Sequence, residues 1–409
     1  MSSATKTLFA LGLAHALLEC FSGVWPIYKH LAGLDLRTAG LILAITGFIS
    51  SMLQPAFGHW ADRGDARKIV LLGTGLTFLM MFFGPVGAQM PVLGPVAVYA
   101  LLAALMMVAR LGHSMFHPAG AILAARALQD RHTSSLGIFI AFGWVGYGFS
   151  QASFSAAYLY CNQHTEVLIV PGALLLALIA LWCKPAPPPA HAHSSHSLKA
   201  KARELWSLRR DVGTIFFLMC MISITNSALY FMFPELVELK GHSGWVVNGG
   251  AMGFMLAGTA LGVVLSGFCG DRFGERQTLI VSMGLNIAAY QGFLILPNMG
   301  VAPFVAVCFV TGVLTGAGTT LPIALGQKLL PKHASMISGV IMGWTWAVGN
   351  LAPLVTAELI PSLGIVKALT VMGGANVIGL FCALRLKPVQ ALRIPGPAVS
   401  VAAPIVTAK

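Results

Sequence analysis

The sequence predicts an all-α membrane protein whose twelve transmembrane helices form two pseudo-symmetric six-helix bundles. Three observations support this fold: the composition, the number of long apolar segments and an internal repeat. Of the 409 residues, 57% are hydrophobic and 9% are charged, and the mean hydropathy is +0.81. A soluble domain carries about 25% charged residues. The composition therefore excludes a soluble enzyme, a nucleic-acid-binding protein and a disordered protein.

Twelve segments are long and apolar enough to cross a membrane, which takes about 20 residues of α-helix. They lie near residues 7–30, 36–60, 68–88, 93–126, 133–160, 166–183, 212–238, 244–270, 277–297, 301–326, 335–358 and 363–384. The first segment contains Glu19 and is too long for a cleaved signal peptide, so we expect it to be a membrane helix.

The longest polar break, 184–211, is rich in proline, then in histidine and basic residues. It divides the chain into an amino-terminal bundle at 1–183 and a carboxy-terminal bundle at 212–384, which a tail at 385–409 follows. The break is interpreted as a solvated tether. Metal binding is the alternative for its histidines, which are His191, His193 and His196.

The distribution of basic residues predicts the orientation. Of 25 Lys and Arg, 20 lie in the amino terminus, the even-numbered loops and the tail. Positive residues favour the cytoplasmic side, so both termini are expected to be cytoplasmic. The formal charge of +12 is then a topology signal. The exceptions are Arg110, inside a segment, and the four odd-loop residues Lys29, Arg37, Lys240 and Lys367.

An internal repeat follows the second segment of each half. The residues Gly58, Asp62, Arg63 and Arg67 recur 209 positions later as Gly267, Asp271, Arg272 and Arg276. The pattern is typical of a tight turn between two helices, because glycine permits close approach and an acid can lie at a neighbouring helix N-terminus. The arginines are expected to lie at the anionic membrane surface.

This pair of turns resembles the signature loop of the major facilitator superfamily, which recurs between the second and third and between the eighth and ninth helices. The resemblance covers residues 7–384. A narrower likeness is to the fosmidomycin resistance branch, bacterial inner-membrane transporters that export small drugs in exchange for protons. The segments that carry it include His15 with Glu19, Leu53-Gln54-Pro55, Met115-Phe116-His117-Pro118, Leu329-Leu330-Pro331 and Ser338-Gly339. The chain departs from that branch at Arg110 and Ala119.

Ionisable residues inside apolar segments are functional hypotheses, because a charge at a helix centre costs about 2.5–3.5 kcal/mol. His15 and Glu19 are four residues apart, so they share one helical face. Arg110, His113 and His117 form a second stripe. In the resembling fold the first and fourth helices both line the central cavity, which implies that the stripes face each other.

We hypothesise that Glu19 pairs with Arg110 and that the stripes bind a proton, an anionic substrate group, or each in turn. One alternative is a permanent ion pair that holds two helices together. Another is a metal site that includes His113 and His117, although no metal and no other cofactor is expected. The substrate cavity is predicted to include residues of the carboxy-terminal half, namely Asn226, Tyr230, Trp344 and Asn350.

The sequence contains no nucleotide-binding loop and no serine-hydrolase elbow. We therefore expect a proton-coupled secondary transporter that works by alternating access, not an enzyme. Efflux of a small drug-like or anionic metabolite follows the family likeness; proton-coupled uptake of an organic anion and an intramembrane metal-binding enzyme are the alternatives. The expected partners are a small-molecule substrate, protons and the lipid bilayer, and the expected state is a monomer.

Overall fold

A computed structural model describes residues 3–63, 66–127, 132–182, 209–316, 318–329 and 337–386. All regular secondary structure within these ranges is helical. Most of the predicted linker and almost all of the predicted tail lie outside the described residues. The two halves below are the described residues up to 182 and from 209 onward.

The helices of the amino-terminal half follow one another along the chain, and several consecutive ones belong to the same candidate membrane span. They are α1 (Ser3–Ser22), α2 (Trp25–Leu31), α3 (Leu36–Met52), α4 (Gln54–Arg63), α5 (Ala66–Thr77), α6 (Phe83–Gly87), α7 (Met90–Ala127), α8 (His132–Tyr160) and α9 (Ile169–Trp182), with 3-10 turns at Phe78–Phe82 and Thr165–Leu168.

The carboxy-terminal half repeats this succession. Its helices are α10 (Arg209–Leu239), α11 (Ala251–Phe273), α12 (Glu275–Ile295), α13 (Val301–Gly316), α14 (Leu321–Leu329), α15 (Thr345–Gly349), α16 (Ala352–Gly373) and α17 (Ala375–Arg385), with π-helical turns at Val246–Gly250 and Gly339–Trp344.

Ten helical stretches within the described residues are long and apolar enough to cross a membrane. The predicted segment at 133–160 is a 29-residue helix, α8, whose apolar run is interrupted by glycine, serine and glutamine. The last two predicted segments belong to one stretch, Gly339–Arg385. Within that stretch the backbone turns at Gly364, where φ is 73°, a conformation that favours glycine.

The signature turns bind the ends of neighbouring helices. The Arg67 guanidinium donates to the carbonyl of Ala180 near the end of α9. Arg276 makes the equivalent contact in the other half, donating to the carbonyls of Leu384 at 3.0 Å and Leu386 at 2.5 Å near the end of α17. These two arginines therefore satisfy helix C-termini, where unpaired carbonyls attract cations. Their expected position at the anionic membrane surface stays a prediction.

The remaining signature residues differ in what the structure describes. Asp271 accepts hydrogen bonds from the backbone N–H of Ser134, at 3.0 Å, and from its hydroxyl. Ser134 is in the first turn of α8, so the predicted placement of an acid at a helix N-terminus is confirmed here. Arg272 lies over the ring of Phe273. Gly58 and Gly267 are buried, and the side chains of Asp62 and Arg63 lie outside the described set.

The halves touch at both ends of the bundle. The contact of Ser134 with Asp271 joins them at the end where α1 begins. At the opposite end Lys29 pairs with Glu235 and Arg37 pairs with Glu358. These contacts join the halves at both ends of the space between them.

Glycines bring the helices of the two bundles close together. A β-carbon on Gly143 of α8 would lie 2.5 Å from the His15 ring, and one on Gly349 of α15 would lie 2.7 Å from the Ser223 side chain. Gly148 of α8 lies against Gly253 of α11, which joins the two halves. The absence of a side chain at these glycines lets the helix backbones approach closely.

Candidate functional site

A cavity of about 180 Å³ lies between the halves. Both predicted stripes line it, so α1 and α7 do bring His15 and Glu19 together with Arg110, His113 and His117. All three histidines are buried, with exposed fractions of 7% or less. The cavity therefore combines ionisable groups from one half with neutral residues from the other.

Three imidazoles converge on one carboxylate oxygen. The Nε2 atoms of His113, His117 and His15 lie 3.1, 3.3 and 3.7 Å from Oε1 of Glu19. The second oxygen, Oε2, accepts a hydrogen bond of 2.8 Å from the Ser22 hydroxyl. We call Glu19 with these three histidines the carboxylate–histidine cluster.

The ring of His15 is fixed by the backbone of α8. Its Nδ1–H donates to the carbonyl of Phe139 at 2.8 Å, and the ring stacks on that of Phe139 at 4.3 Å. With Nδ1 protonated, Nε2 of the neutral ring carries a lone pair that points toward the carboxylate. A further proton is required before this nitrogen can donate to Glu19.

The other two histidines share protons as well. The Nε2 atoms of His113 and His117 are 3.0 Å apart, a distance at which one nitrogen donates and the other accepts. Glu19 competes for the same proton. The carboxylate–histidine cluster can therefore hold a variable number of protons without a change in the backbone.

Arg110 does not form the predicted pair with Glu19. Within the described residues its guanidinium has no hydrogen bond and no ion pair, and its Nε atom is buried without a partner. The Glu19 carboxylate instead contacts the three imidazoles and accepts a hydrogen bond from Ser22, and these groups lie closer to it than the Arg110 guanidinium does. A buried donor without an acceptor is costly, so the Arg110 guanidinium is available to a ligand that carries acceptor oxygens.

Of the four residues predicted in the carboxy-terminal half, three line the cavity: Asn226, Tyr230 and Asn350. Trp344 does not, because it is 38% exposed and its indole N–H donates to the carbonyl of Met52 at 3.2 Å. Trp346, two residues on, takes that place. Residues i and i+2 lie on nearly opposite sides of a helix, so only one of these tryptophans can face the cavity.

Trp346 covers the carboxylate–histidine cluster from the opposite half. Its ring centroid is 4.8 Å from that of His117 and 5.9 Å from that of His113. In the sequence Trp346, like Trp344, offers aromatic surface and a hydrogen-bond donor, but Trp344 was the one assigned to the predicted cavity. Trp144 and Tyr147 of α8 were also missed, although they line the cavity and pack against Tyr230.

Part of the carboxylate–histidine cluster has the spacing of a metal site. Ligand atoms of His15, Glu19 and His117 lie within 4.8 Å of one another, which is close enough for one ion. However, the Arg110 charge lines the same cavity and opposes a divalent cation. Hydrogen bonds already account for the short distances, so we interpret the cluster as a proton-sharing network.

An ion pair between Lys29 and Glu235 lies at the end of the cavity that is opposite the first residues of α1. The Lys29 ammonium is 2.5 Å from Oε1 of Glu235 and lies 4.6 Å from the centroid of the Phe231 ring. His30 Nδ1 is 3.5 Å from the same oxygen. Lys29 is 1% exposed, so its assignment to a loop was wrong. Phe231 also lines the cavity, which makes this ion pair a direct cover of the site.

Membrane-spanning helices in two groups around a central cavity define the class: a multi-pass membrane transport protein. The chain belongs to the major facilitator superfamily, because the model of that family matches residues 7–354. The predicted all-α major facilitator fold and the prediction that the chain is not an enzyme are thereby confirmed, and the count of twelve transmembrane helices stays a prediction.

Two relatives and one solved structure refine this assignment. The fosmidomycin resistance protein of Escherichia coli (strain K12) is 25% identical over 368 residues, which cover 85% of this chain and 84% of that protein. The niacin transporter NiaP of Acinetobacter baylyi is 31% identical over 173 residues, 41% of this chain and 37% of that protein. The predicted resemblance to the fosmidomycin resistance branch is confirmed.

The solved structure is that of a bacterial homologue of the human lysosomal transporter Spinster in an inward-facing, unoccupied conformation. It has a TM-score of 0.68 and 13% sequence identity, and the match covers 96% of this chain and 98% of that chain. At this identity the likeness shows the fold alone.

Proposed function

We propose that the protein is a proton-coupled secondary transporter of a small organic anion, working by alternating access between the two halves. One observation carries this proposal: the Arg110 guanidinium, which has no partner among the described residues, shares one cavity with the carboxylate–histidine cluster. The guanidinium supplies an anion site. The cluster supplies a proton site.

The relatives bear on the direction of transport and on the type of substrate. Likeness to a fosmidomycin resistance protein supports export of a small drug-like anion across a bacterial inner membrane. Likeness to a niacin transporter supports movement of a small carboxylate. In the proposed orientation both termini are cytoplasmic, the two bundles are residues 1–183 and 212–384, and the pair of Lys29 with Glu235 is on the outer side.

The test is flux in proteoliposomes that contain the purified protein. Radiolabelled nicotinate, benzoate and fosmidomycin are supplied with a pH gradient imposed in each direction. We expect at least one of these anions to move in response to the gradient. Absence of gradient-dependent flux for all three would contradict the proposal.

Matched variants separate the two parts of the site. Glu19→Gln should remove the response to the pH gradient, because an amide cannot exchange the proton. Its control is Glu166→Gln, since Glu166 also pairs with a histidine, His164 at 2.7 Å, but on the surface. Arg110→Gln should remove anion transport, and its control is Arg37→Gln. Normal coupled flux in Glu19→Gln would show that the cluster is structural.

A further inference from the structure

The charges of the cavity determine how proton and anion are coupled. Among the described residues that line it, Glu19 and Arg110 are the ones that carry a full charge when the histidines are neutral. Their charges cancel, so the empty site is neutral. The other titratable groups that face the cavity are His15 from α1, His113 and His117 from α7, Tyr147 from α8 and Tyr230 from α10.

Proton and anion have separate sites. The proton is held where three imidazoles meet Oε1 of Glu19. An anion would bind the guanidinium of Arg110, which lacks a partner among the described residues. An anion therefore does not need to displace a proton. Because opposite charges attract more strongly in a poorly solvated cavity than in water, each ligand increases the affinity for the other, and this effect is reciprocal.

The burial of the three histidines adds a second condition. The halves are in contact at both ends of the cavity, and an uncompensated charge in a poorly solvated space is unfavourable. With a monoanion alone the site carries −1, and with a proton alone it carries +1. With both ligands, or with neither, it is neutral. The neutral forms are the ones that change conformation most easily.

We infer that the protein is an electroneutral symporter, in which one organic monoanion at Arg110 and one proton at the carboxylate–histidine cluster bind together and cross together. This inference rests on the proposed function and specifies its coupling. An inward proton gradient then drives uptake of the anion. Exchange of a substrate against protons requires that the two compete for one site. A cationic substrate would compete with the proton at Glu19. An anion at Arg110 does not.

The first test measures protons during binding to the wild-type protein in detergent. Nicotinate, benzoate or fosmidomycin is added in weakly buffered solution that contains a pH indicator. We expect the affinity to fall by about 5- to 150-fold between the protonated and deprotonated cluster, which corresponds to a maximum uptake of about 0.4 to 0.85 proton per bound nicotinate or benzoate. Benzamide, the neutral analogue of benzoate, should bind without proton uptake. Proton release on binding, or binding that does not depend on pH, would overturn the inference.

The second test separates the driving forces in proteoliposomes. Symport of a monoanion with one proton moves no net charge, so a pH gradient should drive uptake, and a potassium diffusion potential alone should not. Exchange of an anion for a proton moves two charges per cycle and would respond strongly to the potential. A response to the potential would therefore overturn electroneutral symport and leave the proposed transport function intact.

Variants locate the two sites. Arg110→Gln should abolish benzoate binding, whereas Arg110→Lys should restore part of it. Glu19→Gln should still bind benzoate but with at least fivefold less dependence on pH. Unchanged pH dependence in Glu19→Gln would place the proton elsewhere and overturn the inference. If none of the three anions binds the wild-type protein, the proposed function fails as well, which distinguishes that outcome from a wrong coupling.

Discussion

The ion pair between Lys29 and Glu235 should control access to the cavity, and Glu235→Gln tests this. The substitution keeps the shape of the side chain but removes its charge. The Lys29 side chain has 0% exposure and the Glu235 side chain 15%. In the variant, the ammonium stays buried without a counterion as long as the halves touch. When they separate at this end, the ammonium becomes hydrated. The variant therefore favours the open conformation.

The size of the shift follows from the burial. Removing one partner of a fully buried pair costs about 3–5 kcal/mol. Here the contacts of Lys29 with the Phe231 ring and the partial exposure of Glu235 reduce this to about 2–3 kcal/mol. The open population should then rise about 30- to 150-fold. For the surface pair of Arg37 with Glu358, whose side chains are 69% and 43% exposed, water and salt screen the charges and the loss is much smaller.

The assay is the rate at which a membrane-impermeant thiol reagent labels a cysteine introduced at the cavity residue Ser227. The seven native cysteines are replaced first. While the open state is rare, the labelling rate is proportional to its population. Glu235→Gln should label 30- to 150-fold faster, by the population shift above, and Glu358→Gln less than about fivefold faster. Equal rates in the two variants would refute the reasoning.

Three further predictions concern stability and composition. Gly143→Ala puts a methyl group 2.5 Å from the His15 ring and should lower the free energy of unfolding by about 1–3 kcal/mol. In the control Gly213→Ala the new methyl group has no atom within 4 Å, and the free energy of unfolding should rise by up to about 1 kcal/mol. Thermal unfolding in detergent measures both changes. Purified protein should contain far less than one metal ion per chain by elemental analysis, and a stoichiometric ion would contradict a proton-sharing cluster. Hydrogen bonds from Thr38 hold the pKa of Asp35 below its ordinary value, so the helix cap at Asp35 stabilises the fold near neutral pH and this contribution disappears as the pH falls through the lowered pKa. Asp35→Ala should therefore cost about 1 kcal/mol at pH 7 and almost nothing in strong acid, and an equal loss at both pH values would count against the cap.

Helical periodicity was sufficient to predict the two stripes of the site. The spacing of His15 and Glu19, and that of Arg110 and the two later histidines, fixes which residues share a face. Their meeting across the cavity required the fold resemblance as well. The partners of Glu19 depended on side-chain geometry between helices, which spacing along one helix does not determine. The pairing with Arg110 was therefore wrong, although all the residues involved were identified.

Two other errors have the same physical origin. To choose between Trp344 and Trp346 one must know which face of the helix points to the cavity. The sequence does not determine this, because more than one face of that segment is apolar. Lys29 follows the apolar core of its segment and was read as a loop cation. Its burial depends on Glu235, which is 206 residues away and belongs to the other half. Contacts between the halves are the part of this fold that local sequence determines least.

The matching contacts of Arg67 and Arg276 have a mechanical consequence. Each arginine ties two helices of its own half together. The bundles can then behave as stiff arms, and deformation during a transport cycle is concentrated in the thin layer where they meet. That layer contains the buried ion pair, the Trp346 ring and the carboxylate–histidine cluster. Ligand binding in this layer therefore acts directly on the relative motion of the two halves.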